Sequence, residues 1–151
     1  PKVIEFNCRF GDPETQPIMM RLQSDLDALC LSTIAQDLHN TDARWDPRPA
    51  LGVVLASEGY PGSYRKGDVI SGLGPSADAD TKVFHAGTAL VDDQVVTSGG
   101  RVLCVTALGD DIKSAQANAY LAADDIDWPG KTLRRDIGWR AIARYSSSDN
   151  R

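Results

Sequence analysis

The stretch Val3-Ile4-Glu5-Phe6-Asn7-Cys8-Arg9-Phe10 decides how the chain is read. Side chains of an extended segment alternate with period two, so Glu5, Asn7 and Arg9 share one face, and Ile4, Phe6, Cys8 and Phe10 share the other. The pattern predicts a half-buried strand that displays two oxygen donors and a cation, a face suited to a metal and a phosphate. Gly11, Asp12, Pro13, Glu14 and Thr15 follow as a tight polar turn that holds further carboxylates beside the same surface.

A carboxylate at i and an amide oxygen at i+2 lie about 6–7 Å apart at their Cα atoms and point the same way, so one hard cation can bridge Glu5 and Asn7. Magnesium takes one or two carboxylates and leaves its other positions to water and substrate phosphates, which suits a metal shared with a nucleotide. Arg9, one step further on that face, can stabilise charge on a transferred phosphoryl group. The plain alternative is a solvated polar strand face, followed by a turn in which Asp12 merely caps a helix.

Working outward, strand character appears two residues after Pro1 with no cap or leading element, and the chain is expected to be a piece of a longer polypeptide. Asp12 and Pro13 suit the first positions of a helix, but Pro17 would clash with the carbonyl four residues back, so the regular helix is placed from about Pro17. Ile18, Leu22, Leu26, Leu29 and Cys30 recur at spacings of three and four and predict one amphipathic helix to about Leu38. The polar stretch His39 to Pro49 marks a subdomain boundary. Strands are expected at Leu51 to Ser57, Asp68 to Ser71, Val83 to Leu90, Gln94 to Thr97 and Arg101 to Leu108, with a hairpin at Asp92 and Asp93. A helix opening near Asp110, with Ile112, Ala115, Ala119 and Ala122 on one face, covers that sheet. The class is α+β with a mostly antiparallel sheet, and residues 146–151 are expected to be a disordered tail.

With 151 residues, 42% of them hydrophobic, the chain has the bulk of one ordinary domain, or of one domain plus part of another. Its 16 lysines and arginines against 21 aspartates and glutamates give a net charge of −5, which argues against nucleic acid as a partner. The apolar runs, such as Leu51 to Ala56, are too short to span a bilayer, and no charged-then-apolar leader opens the chain; a soluble, cytoplasmic protein without a membrane partner is expected. Cys8, Cys30 and Cys104 sit among apolar neighbours, fit no disulfide framework and are expected to be buried thiols. With His39 and His85 the only histidines, a histidine-rich zinc site is excluded, leaving oxygen-ligated magnesium or manganese. Gly72 and Gly74 lack the third glycine and the helix of a dinucleotide fingerprint.

Glu5 through Gln16, EFNCRFGDPETQ, resembles the signature of the phosphoribosylamine–glycine ligase family, also called glycinamide ribonucleotide synthetases, of the ATP-grasp superfamily. The likeness continues in the same order through Ala56 to Gly62, Val83 to Ala89, Gly99 to Gly109 and Arg135 to Ile142, nearly the whole chain. The resemblance implies that residues 1–48 end an ATP-grasp domain with a metal-bearing strand, loop and helix, and that 49–145 form the ligase's C-terminal α+β domain. It implies ATP-driven joining of glycine to 5-phosphoribosylamine in purine synthesis, through glycyl phosphate, yielding glycinamide ribonucleotide, ADP and phosphate. Glu5 and Asn7 would hold magnesium or manganese beside the ATP phosphates, Arg9 would face the reacting phosphate and carboxylate, and Asp12 and Glu14 would orient the amine substrates.

Gly99, Gly100 and Arg101 combine a close backbone approach with a cation and can meet a ribose phosphate, or they form a strand-end turn with an exposed arginine. His85 belongs either to the core or to the cleft. Lys131, Arg134, Arg135, Arg140 and Arg144 read as a solvated basic face, with Arg135 and Asp136 bracing the domain. Tyr60-Pro61-Gly62 reads as a turn without chemistry. The family's upstream lobes are its expected partners, and without them the chain is expected to bind ATP poorly and to lack turnover. The rival reading is a noncatalytic binding or assembly module built on the antiparallel sheet.

Overall fold

β1 (Ala50–Ser57) turns Leu51, Val53 and Leu55 into the core and Gly52, Val54 and Ala56 to the opposite face, the alternation expected of its sequence. The computed structural model describes residues 2–4, 6–74 and 79–148. β5 (Arg101–Leu108) runs antiparallel to β1, from Ala50 opposite Leu108 to Leu55 opposite Leu103. β2 (Thr81–His85) pairs with the other edge of β5 and β6 (Lys131–Leu133) with the other edge of β1, both antiparallel, so the sheet order is β2-β5-β1-β6.

α3 (Ile112–Asp125) packs on the face of Leu51, Val53 and Leu55, and its buried Ala115, Ala119 and Ala123 keep the helix close to the sheet. Asp111 opens it with a reciprocal cap: its carboxylate accepts from the Ser114 N–H while the Ser114 hydroxyl accepts from the Asp111 N–H. α1 (Thr15–Arg21) lies over the opposite face, with Pro17 above Gly52. β3 (Thr88–Val91) and β4 (Gln94–Thr97) form the expected hairpin. Asp92 and Asp93 occupy its turn at φ 47° and 60°, left-handed positions that a two-residue hairpin requires.

The amino-terminal reading needs correction. No strand forms in the described part of residues 2–10, and Ile4 and Phe6, expected on a half-buried face, are 97% and 90% exposed. A strand is held by its ladder to a neighbour, and the described ladders join only β1, β2, β5 and β6, or β3 and β4. The single helix to Leu38 is instead α1, α2 (Leu26–Ile34) and a short 3₁₀ turn, Leu38–Asn40. At the break Leu22 bridges Trp45, the Gln23 N–H donates to the Arg44 carbonyl at 2.9 Å, and Asp25 caps α2 by accepting from the Asp27 and Ala28 N–H groups. A local cap and a cross-chain bridge outweigh the apolar periodicity, and α2 buries none of its residues.

The expected Val83 to Leu90 strand also divides. Gly87 donates to the Arg101 carbonyl at 2.9 Å, and a Cβ there would lie 2.6 Å from that oxygen and from the Gly99 Cα, so the chain crosses from the sheet to the hairpin at the residue that lacks one. Asp68 to Ser71 makes only isolated bridges, Val69 with Val96 and Ser71 with Asp127. Cys104 is buried as expected, whereas Cys8 and Cys30 are exposed: the strand meant to bury Cys8 is not formed, and α2, which carries Cys30, buries none of its residues. β6 and α4 (Trp139–Ser148) were not anticipated; α4 continues through 146–148, where a disordered tail was expected, while 149–151 lie outside the described residues. Arg135 pairs with Asp124 of α3 at 2.6 Å rather than with Asp136, which Arg134 takes at 2.6 Å.

Candidate functional site

The site lies where β1 ends and β5 begins. Leu55 faces Leu103, but Ala56 faces Arg101, so Val102 is an extra residue and the strand bulges. Pairing in step would set Arg101 opposite Ser57, on the core side. The bulge instead puts Val102 into the core and Arg101 on the face of Gly52, Val54 and Ala56. There the Arg101 guanidinium meets the Asp12 carboxylate at 3.0 Å and the Asp12 main-chain carbonyl at 3.5 Å, joining the Gly11 to Thr15 turn to the sheet.

Gly100 sits under two aromatic rings: a Cβ there would fall 2.1 Å from Tyr60 Cδ2 and 3.0 Å from Tyr64 Cε1. Its carbonyl accepts from the Ser57 N–H at 2.9 Å, and the Ser57 hydroxyl donates to the Gly99 carbonyl at 3.2 Å, which fixes the loop against the end of β1. The resulting cleft, about 550 Å³, has a floor of Val54 and Ala56 and walls that include Pro13, Tyr60, Arg101 and Arg134. Tyr60, taken as part of a plain turn, and Arg134, taken as part of a solvated face, are thus cleft residues; the only signal for Tyr60 was its place in the family-like stretch Ala56 to Gly62. Burial pushes the Cys104 thiol upward, and the negative charge of Asp12 adds to that shift.

A second, more open cleft of about 690 Å³ is lined by Phe6, Asn7, Arg9, Gly11, Asp12 and Glu14. The Glu14 carboxylate folds over Gly11, whose carbonyl accepts from the Thr15 N–H at 3.2 Å. Arg9 donates to the Phe10 carbonyl at 2.9 Å. Asp12 borders this cleft and Pro13 the first, so the turn separates the two. Four of the expected residues, Asn7, Arg9, Asp12 and Glu14, therefore share one surface; Arg101 reaches it through Asp12, and Gly100 lies under Tyr60 and Tyr64. Glu5 lies outside the described residues. Among the described residues, no three His, Cys, Asp or Glu side chains gather closely enough to hold a metal. His85 lines neither cleft; it is exposed, with Nδ1 3.1 Å from the Thr88 hydroxyl.

Residues 50–140 match the family model described as phosphoribosylglycinamide synthetase, C domain. The chain is 62% identical to the phosphoribosylamine–glycine ligase of Pseudomonas syringae pv. tomato, over 99% of its own length and 35% of that protein's. It is 65% identical to the ligase of Vibrio cholerae, over 95% of this chain and 34% of that one. A crystal structure of the Thermotoga maritima phosphoribosylamine–glycine ligase superposes with a TM-score of 0.67 at 32% identity, covering 90% of this chain and 33% of that one. The chain spans about a third of the length of the curated relatives it matches.

Proposed function

The chain belongs to the phosphoribosylglycinamide synthetase family by its C domain, and from that premise we propose that it works as the C-terminal part of an ATP-dependent ligase joining glycine to 5-phosphoribosylamine in purine synthesis. The observation that carries this reading is the Arg101–Asp12 contact, which brings the family-like Gly-Asp-Pro turn onto the C domain's glycine-rich strand end. In the proposed division, residues 1–48 end an ATP-grasp domain and 49–145 form the C domain, a boundary supported by a family match that opens at residue 50.

Each side chain then has work suited to its chemistry. Arg101 offers a planar fork of donors to the ribose phosphate, and Gly100 lets Tyr60 close beside it. Asp12 and Glu14 present carboxylates to the amine groups of the two substrates. Arg9 neutralises charge where a carboxylate is activated by phosphorylation, a step that depends on positioning and electrostatics. Asn7 supplies one oxygen donor and Glu5 a second. A pair of hard oxygens fits magnesium or manganese that completes its shell with ATP phosphates and water, and the ion would neutralise phosphate charge. The exposed free thiols of Cys8 and Cys30 suit the reducing cytoplasm.

The test uses the full-length ligase that contains this segment. Glu5→Gln removes a metal-facing charge and is expected to cut turnover by about two orders of magnitude or more while the melting temperature stays near that of the parent. An unchanged rate defeats the assignment and favours the noncatalytic module.

A further inference from the structure

We infer that Asp12 is a built-in competitor for the anionic ligand of Arg101, an internal carboxylate that an arriving phosphate group has to displace; the inference rests on the phosphate reading of Arg101 given above. The two residues stand 89 positions apart, and the Val102 bulge aims one at the other. Arg101 is 40% and Asp12 49% exposed, so the pair is solvated, weakly held and open to exchange.

Other paired arginines are bound differently. Arg48 is shared between Asp46 and Asp80, and Arg134 makes two bonds to Asp136, two residues away, at 2.9 and 2.6 Å. Of the two arginines lining the Arg101 cleft, Arg101 is the one whose carboxylate arrives from a distant turn and can leave with it. A phosphate monoester brings about −1.5 to −2 charges and three acceptor oxygens to the same fork. Its arrival releases Asp12, whose carboxylate then becomes available to an ammonium group. By linkage, an ammonium at Asp12 strengthens phosphate binding at Arg101 by the same factor. A ligand carrying both an amine and a phosphate therefore opens the pair from both sides.

Competition by an internal group weakens every anion at Arg101 by one common factor, which makes the inference testable on the 151-residue chain. Ribose 5-phosphate and inorganic phosphate are titrated separately and followed through the Arg101 side-chain Nε–H resonance, or through backbone amides in the Arg101→Gln protein. Asp12→Asn is expected to tighten both ligands by a similar factor, about two- to fivefold, and Arg101→Gln to abolish binding of both. If Arg101→Gln binds like the parent, the phosphate reading of Arg101 itself falls. If Arg101→Gln loses binding while Asp12→Asn gains nothing, weakens binding or favours only one ligand, Arg101 keeps its role and the competitor is overturned.

Discussion

Single side chains hold the linker and the strand crossing. Arg48 bridges Asp46 at 2.8 Å and Asp80 at 2.7 Å, tying the segment before β1 to the approach to β2. Hydrogen bonds from Arg48 are the leading reason both carboxyls lie below their usual range. A depressed carboxyl stabilises the fold above its unfolded value, near pH 4, and that contribution disappears as pH falls through the folded value. Arg48→Met is therefore expected to lower the melting temperature at pH 7 and to lower it less as pH falls below about 4, a comparison that thermal melts across that range provide. Gly87→Ala meets backbone on two sides, which cannot yield as a side-chain tip can. Urea denaturation should show a loss of about 1–3 kcal/mol.

At the scale of elements, periodicity was a good guide where a strand or helix packs on its own sheet and a poor one elsewhere. β1, β4, β5, the Asp92–Asp93 turn and α3 lie close to where alternation, turn residues and an acidic helix start put them. β6 has three residues, too few for a period to register, and the Val102 bulge leaves no mark in an apolar strand. The hairpin turn allows a direct check. Asp93 sits at φ 60°, where glycine has no side-chain penalty, so Asp93→Gly should raise stability by about 0.5 kcal/mol in the same denaturation assay. A loss would show that the Asp93 side chain contributes more than its backbone strain costs.

For the whole molecule, the chain matches about a third of its relatives' length, and the proposed reading leaves adenine recognition to the remaining two thirds of such a ligase. Isothermal calorimetry of the chain alone should accordingly detect no micromolar ATP binding; a clear micromolar isotherm would move nucleotide recognition into this segment. The family, the antiparallel sheet and its covering helix were legible because local alternation, turn chemistry and contiguous motifs are written residue by residue. The polar face of Glu5, Asn7 and Arg9 was legible only as a pattern, since an extended segment becomes a strand when a neighbour supplies its ladder. What the tertiary structure alone decided is the meeting of Asp12 with Arg101 and the cleft with Tyr60 and Arg134. Those contacts join segments far apart in the chain through a one-residue bulge, and side-chain direction past a bulge depends on pairing with another strand, which no local period encodes.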